Sequence, residues 1–375
     1  RVDALHCPAN LCPRWMPVPT VVTIHDLIPL DLPEGRPVQE LKRFEQSVDA
    51  ACRKASAVVS PSRFVSDRLS GEHGLDPRRG VVVPWGPTLH EETVDISRSD
   101  GVLAGLGVDG PFLLHFGAGE ERKNTRGVIE AWAMVRPRYR QSWKLVIVGL
   151  DDKSRADLGR LTQMMGLEQG IKLHGYVPEQ ELPMLMSCAT VLLYPSLSEG
   201  FGLPVLEAFA SATPVITSDT TSLPEVAGDA AMLVPPGRAT ALASAMTALM
   251  KDPMRRAELA GRGARRLKHY NWDKSAADVE VVQALVDNNI TFCDGITDTD
   301  YAEDSFFDRH ATYKVEDAEL RWGGPNFAYP DNAYVKLSVL NAHGEAREVV
   351  LPVPSETPLE TYLKLVEAPT SRLSL

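Results

Sequence analysis

Several things are scarce in this 375-residue chain, and each scarcity excludes something. Cysteine is rare: Cys7, Cys12, Cys52, Cys188 and Cys293 are odd in number and widely spaced, with no redox or zinc-ligand spacing. That argues against a disulfide framework and points to a reducing, cytoplasmic setting. His6 beside Cys7 and Cys12 is a faint metal signal, weaker than an ordinary structural reading. No apolar run is long enough to cross a bilayer and no signal peptide is recognisable, so membrane contact is expected to be peripheral at most, at the inner face of the membrane. Positive charge is also short: 39 Lys and Arg face 50 Asp and Glu, a net charge of −11. A nucleic-acid binder usually carries a basic face, so no nucleic-acid partner is expected.

Apolar residues are plentiful at 44%, enough for two domains with cores of their own. Over residues 1–109, β-branched runs at Val21–Ile24, Ala57–Ser60 and Gly80–Val83 alternate with helical stretches at about Pro37–Ala55 and Arg63–Leu69. Leu41, Phe44, Val48 and Cys52 fall on one face of the first helix. Such alternation implies parallel strands. His25-Asp26 ends the first run; it reads either as a pair tying down a turn or as a group presented to a ligand. Ser62 reads first as a helix cap. Residues 88–109 are polar, weakly patterned and glycine-containing, and read as a linker.

A second alternating segment follows. The strand Phe112–Gly117 leads into Gly117-Ala118-Gly119-Glu120-Glu121-Arg122-Lys123-Asn124 and a helix from about Thr125. Cations near a helix start oppose the helix dipole, so Arg122 and Lys123 call for an anion; a planar fork and a point charge are the two usual phosphate grips. Lys144–Gly149 is a strand, Ser154–Met165 a helix, and His174-Gly175-Tyr176-Val177-Pro178 a loop. The most informative stretch is Thr190–Ser218. The run Thr190–Tyr194 reads as a buried strand. Gly200 and Gly202 permit a sharp turn, and Pro204 marks a helix start. The amides of that first turn suit phosphate or sugar oxygens. Glu199 and Glu207 bracket the turn. They could accept from ligand hydroxyls, or simply be a loop residue and a dipole partner.

The string Ser198-Glu199-Gly200-Phe201-Gly202-Leu203-Pro204-Val205-Leu206-Glu207-Ala208, continued by Pro214–Ser218 and Leu223–Gly228, closely resembles the Glu-x7-Glu motif of retaining GT-B glycosyltransferases of the family 4 type. The resemblance covers about residues 1–286. It implies an α/β, GT-B fold: two Rossmann-like domains facing a cleft, here residues 1–109 on the acceptor side and 110–286 on the donor side. The family's first domain normally opens with a strand and glycine-rich loop that are not seen after Arg1, so an incomplete or divergent first domain is expected. By resemblance, Arg122 and Lys123 bind the donor diphosphate, Glu199 and the backbone of Gly200, Phe201, Gly202 and Leu203 hold the donor sugar, and Glu207 takes the ribose. Tyr176 and Val177 belong to the nucleobase loop, and His25 faces the anomeric centre, so that His25 and Glu199 are the catalytic candidates. The family needs no metal, and residues 1–286 hold no Asp-x-Asp motif. The expected reaction moves a hexose, mannose first, from GDP-mannose or UDP-glucose to a growing polysaccharide or lipid-linked glycan. The alternative is an inactive nucleotide-sugar-binding or scaffolding module.

Two regions stand apart. The stretch Pro253–Tyr270 is rich in arginine; a solvated face is preferred over a lipid-binding one because Glu258 interrupts it. Residues 287–375 do not fit the family. Tyr334–Leu340 alternates and returns through Glu348–Leu351, which predicts an antiparallel β extension. Asp298, Asp300, Glu303, Asp304 and Asp308 keep no ligand-loop spacing and read as an acidic linker.

Overall fold

The computed structural model describes residues 5–10, 12, 16, 18–88, 99–117, 120–287, 312–322, 333–340, 346–352 and 372–374, with backbone alone beyond residue 282. Ala118, Gly119, Cys293 and the acidic residues 298–308 lie outside them. In chain order come β1 (Leu5–Cys7), β2 (Thr20–Thr23), α1 (Ile28–Asp31), α2 (Val38–Lys54), β3 (Ala57–Ser60), α3 (Arg63–His73) and β4 (Gly80–Val82). Next are α4 (Ser99–Gly105), β5 (Phe112–Phe116), α5 (Thr125–Met134), α6 (Pro137–Arg140), β6 (Lys144–Val148), α7 (Asp152–Met164), β7 (Ile171–Leu173), α8 (Leu182–Cys188) and β8 (Val191–Tyr194). The series continues through α9 (Leu203–Ala210), β9 (Val215–Ser218), α10 (Leu223–Ala227), β10 (Ala231–Val234), α11 (Ala239–Lys251), α12 (Pro253–Leu267) and α13 (Trp272–Asp287). The strands β11 (Thr312–Trp322), β12 (Ala333–Leu340), β13 (Ala346–Pro352) and β14 (Arg372–Ser374) complete it.

The chain divides into two compact units. One takes Arg1–Leu30, Gly35–Pro84 and the chain from Trp272; the other takes Asp31–Glu34 and Trp85–Asn271. In the first unit β1-β2-β3-β4 form a parallel sheet in sequence order. Its central strands, Thr20–Thr23 and Ala57–Ser60, are buried on both faces, which is why they read as unbroken apolar runs. One face packs under α2 and α3, where Val48, Ala51 and Cys52 meet Val22, Val58 and Leu69. The other face, Val21, Ala57, Val59 and Val83, is closed by Val279 and Val282 of α13. Ser62 does cap α3, accepting from Val65 N–H at 3.2 Å.

The second unit holds a six-stranded parallel sheet in the order β10-β9-β8-β5-β6-β7. Counted from β5, that is the 3-2-1-4-5-6 order of a doubly wound nucleotide-binding sheet, which reverses between β5 and β8. Alternate residues go to opposite faces. Leu113, Leu145, Ile147, Val191 and Leu193 pack on Trp132 of α5 and Met246 of α11. Phe112, Leu114, Val146, Val148, Leu192 and Tyr194 pack on α8 and α9. At about 25 cal/mol per Å² of apolar surface removed from water, these two layers dominate the unit's stability.

The stretch expected to be a linker contains α4, and Leu103 and Leu106 pack against the core beneath it. Gly101 and Gly105 depress helix propensity there, and contact with that core overrides it. Two arginines of α12 are engaged by their own unit: Arg266 donates to the carbonyls of Val226 and Glu225, and Arg262 pairs with Asp229 and Glu258. Beyond α13, β13-β12-β11-β14 form an antiparallel sheet, with Leu340 opposite Ala346 across the expected hairpin; β11 was not foreseen. No helix among the described residues is long and apolar enough to cross a membrane.

Candidate active site

In an open α/β sheet, ligands bind beyond the carboxyl ends of the strands where the order reverses. Here that is the region past β5 and β8, and Arg122, Lys123 and Glu199 meet there. After β5, a single 3-10 turn over Glu121–Lys123 carries Arg122 and Lys123. Asn124 follows in the left-handed conformation, at φ 58°, and begins α5. Its amide donates to Pro195 O at 3.1 Å and Pro236 O at 2.7 Å, bolting the turn to the loops after β8 and β10. Leu197 N–H donates to Arg122 O at 2.7 Å, a second tie between the same loops.

After β8, the chain brings Glu199 under these cations. Arg122 Nη1 and Lys123 Nζ each donate to Glu199 Oε1 at 2.8 Å, and Tyr194 Oη donates to the same oxygen at 2.7 Å. Lys123 Nζ also donates to Tyr194 Oη at 2.7 Å and lies 4.6 Å from the centre of that ring. Arg122 Nε pairs with the half-exposed Glu120. Glu199 is buried, at 7% exposure. Burial pushes its carboxyl upward, but the charges of Lys123 and Arg122 and the bonds from Lys123 and Tyr194 hold it below the usual range. Burial draws the Lys123 ammonium down despite Glu199. Burial and the adjoining carboxylate drive the Tyr194 phenol well above its ordinary value. Glu199 is thus ionised, Tyr194 is a donor, and Oε2 of Glu199 has no hydrogen-bond partner among the described residues.

The glycine loop lies against this cluster. Gly202 has φ 123° and ψ 46°, and a Cβ there would come within 2.7 Å of Leu223 Cδ2. The backbone conformation requires glycine, and a side chain there would also displace the Leu223 methyl. Phe201 turns inward, edge-on to Trp85 at 5.5 Å and Tyr270 at 5.9 Å, so only its backbone is offered to a ligand. Ser222 Oγ reaches the carbonyls of Glu199 at 2.9 Å and Phe201 at 2.7 Å, fixing the loop from behind. α9 opens at Leu203 with no side-chain cap. Glu207 lies in the second turn of α9, half-buried. Tyr176 is 81% exposed, whereas Val177 is buried in the core.

His25 belongs to the first unit, just past β2. Its N–H donates to Asn10 Oδ1 at 2.6 Å and its Nε2 sits 2.7 Å from Pro8 O, so Nε2 carries a proton. Asp26 accepts from Ile28 N–H at 3.1 Å, at the start of α1. Among the described residues no three His, Cys, Asp or Glu groups could hold a metal ion; His6 bonds Thr23 and Cys12 lies against Met16.

Sequence reasoning missed Tyr194, Asn124, Ser222 and His115. His115 is wholly buried on β5, with Nδ1 2.9 Å from Leu193 O and Nε2 3.0 Å from Thr125 Oγ1, which is itself 2.9 Å from Gly117 O. Burial, with the Lys123 charge, pulls its imidazole to about 4 against the Leu193 bond.

Two family models fall on the two units. The one for glycosyltransferase family 4 matches residues 1–89, and the one for glycosyl transferases group 1 matches residues 104–266. A D-inositol 3-phosphate glycosyltransferase of Kineococcus radiotolerans is 30% identical over 302 residues, 73% of this chain and 67% of the relative. The chain belongs to the family 4-like, GT-B glycosyltransferases. Another member, the O-antigen chain mannosyltransferase B of Escherichia coli, is 29% identical over 68% of this chain and 67% of its own. The chain spans about two thirds of the length of the curated relatives it matches. Among solved structures, WaaG, a glycosyltransferase involved in lipopolysaccharide biosynthesis, superposes with a TM-score of 0.62 at 16% identity, over 75% of this chain and 78% of that one. Anabaena HepE, in complex with UDP-glucose, superposes at 0.61 with 20% identity, over 72% of each chain. These likenesses give the fold, that of a GT-B glycosyltransferase with two Rossmann-like domains.

Proposed function

We propose that this glycosyltransferase moves a hexose, mannose in first place, from a nucleotide-diphosphate sugar to a growing polysaccharide or lipid-linked glycan, with retention at the anomeric carbon. The observation that carries the reading is the meeting of Arg122, Lys123 and Glu199, from two distant loops, at the point where the sheet order reverses. In this reading Arg122 and Lys123 hold the diphosphate and neutralise the charge that grows on it as its bond to the sugar breaks. Glu199 Oε2 and the backbone of Gly200–Leu203 take the sugar hydroxyls, Glu207 the ribose, and the loop at Tyr176 and Val177 the base. His25 is assigned to the sugar near the anomeric carbon. The acceptor hydroxyl attacks from the face the diphosphate leaves, and its proton passes to the departing phosphate oxygen, so no covalent nucleophile or metal is required. Mannose is favoured because mannosyltransferases recur among the relatives, including the serotype-specific enzyme WbdA of Escherichia coli. The site of action is taken to be the cytoplasm, at the inner membrane face where such acceptors are built.

The test is calorimetric titration with GDP-mannose, UDP-glucose and UDP-N-acetylglucosamine, on wild type and Arg122→Ala. One donor is expected to be preferred and to lose about a hundredfold in affinity in the variant, the scale of a buried charged contact. Equal binding by both proteins would refute the assignment of Arg122, and binding without transfer to a glycan acceptor would favour a catalytically silent module.

A further inference from the structure

Among the described residues, every donor that reaches Glu199 uses a single oxygen. Arg122, Lys123 and Tyr194 converge on Oε1, and Oε2 is left over. Both cations of the anion site are matched by an anion of the chain itself. Arg122 is shared with a second carboxylate, Glu120. The two carboxylates differ in one decisive way: the side chain of Glu120 is 49% exposed and can swing into water, whereas that of Glu199 is 9% exposed and pinned. An incoming phosphate therefore meets a cluster whose positive charge is largely cancelled, and one of the cancelling groups cannot leave.

We propose that Glu199 is the resident counter-anion of the diphosphate site, and that it discriminates the intact nucleotide sugar from the free nucleoside diphosphate. The inference deepens the proposed function and rests on its assignment of Arg122 and Lys123 to the diphosphate. A free nucleoside diphosphate brings only negative charge, so it meets the Glu199 carboxylate as a like charge at close range in a poorly hydrated place, where charges are weakly screened. A nucleotide sugar meets the same repulsion, but its hydroxyls donate to the open Oε2, and charge-assisted bonds of that kind offset it. The same residue thus lowers affinity for the leaving group and restores it for the donor. Once the sugar has moved to the acceptor, the compensation is gone and the diphosphate is expelled.

The experiment titrates GDP, UDP, GDP-mannose and UDP-glucose into wild type, Glu199→Gln and Arg122→Ala, with circular dichroism to confirm folding. Glutamine keeps the shape and one acceptor but removes the charge. Glu199→Gln is expected to bind the preferred free nucleoside diphosphate about tenfold tighter than wild type, and the matching nucleotide sugar no tighter. Unchanged or weaker diphosphate binding by Glu199→Gln, with binding still lost in Arg122→Ala, would overturn the counter-anion role and leave the diphosphate site standing. Undiminished diphosphate binding by Arg122→Ala would remove the site itself, and this role with it. If Glu199→Gln does not fold, Glu199→Asp, which draws the carboxylate back by one methylene, is expected to tighten the free diphosphate about threefold, and no tightening would overturn the inference.

Discussion

Replacing Tyr194 by Phe removes one oxygen from the centre of the second unit and nothing else. The ring stays, packed at 1% exposure in the core, and so does its contact with Lys123. Two hydrogen bonds of 2.7 Å disappear, one from an ammonium and one to a carboxylate. Bonds to charged groups contribute about 1.5–3 kcal/mol each. They do not add in full here, because Lys123 and Glu199 still bond each other. A loss of roughly 2–4 kcal/mol is expected, since the site is too enclosed for water to replace the phenol at no cost. The assay is guanidinium unfolding followed by tryptophan fluorescence, for Tyr194→Phe, Glu199→Gln and the double variant. Because both changes act on one bonded group, the double variant should fall short of the sum by about 1–3 kcal/mol. A Tyr194→Phe loss below about 0.5 kcal/mol, or strict additivity, would refute the claim that the phenol is what fixes Glu199.

Two glycines should respond in opposite senses: Gly202→Ala forces φ 123° on an L-residue and drives a methyl into Leu223, costing roughly 2–5 kcal/mol, whereas Gly159→Ala, in α7 with open space around it, should stabilise by about 0.5–1 kcal/mol in the same unfolding assay. His115 is neutral when folded, because its imidazole lies near 4 rather than at its ordinary 6.5. The unfolded chain therefore binds the extra proton between those values: the contribution is intact above pH 6.5 and falls by roughly 3 kcal/mol as pH drops to 4. Denaturant midpoints measured across that window should show the slope, and His115→Gln should flatten it.

The parts of the site that could be read in advance are those whose chemistry contradicts their surroundings. Arg122 and Lys123 stand where a helix dipole repels cations, and Glu199 stands beside glycines in a string too long to be chance. Tyr194 gave no such signal: at the end of an apolar strand an aromatic residue is unremarkable, and only the fold shows that its hydroxyl reaches past β8 to Lys123. Ser222 and Asn124 escaped for a related reason. Their partners are backbone carbonyls, at Glu199, Phe201, Pro195 and Pro236, and a carbonyl leaves no mark in a sequence. The parallel strands were legible because burial on both faces makes them uniformly apolar. The three-residue β1 and the four-residue α1 were not, being too short to show a period, and α4 was hidden by its glycines.

The return of α13 to the first unit fixes an order of events during synthesis. Val279 and Val282 cover the face of Val21, Ala57, Val59 and Val83, and Ser275 anchors the start of the helix on Pro84 O. These partners are separated by the whole second unit. As the chain leaves the ribosome, the β1–β4 sheet is therefore made first but stays open on one side while the second unit emerges and folds. At about 5–20 residues per second, the 188 residues from Trp85 to Trp272 leave that apolar face uncovered for roughly 10–40 seconds. A chaperone that acts on this nascent protein would find its target there, and a truncation before α13 would expose the same surface permanently.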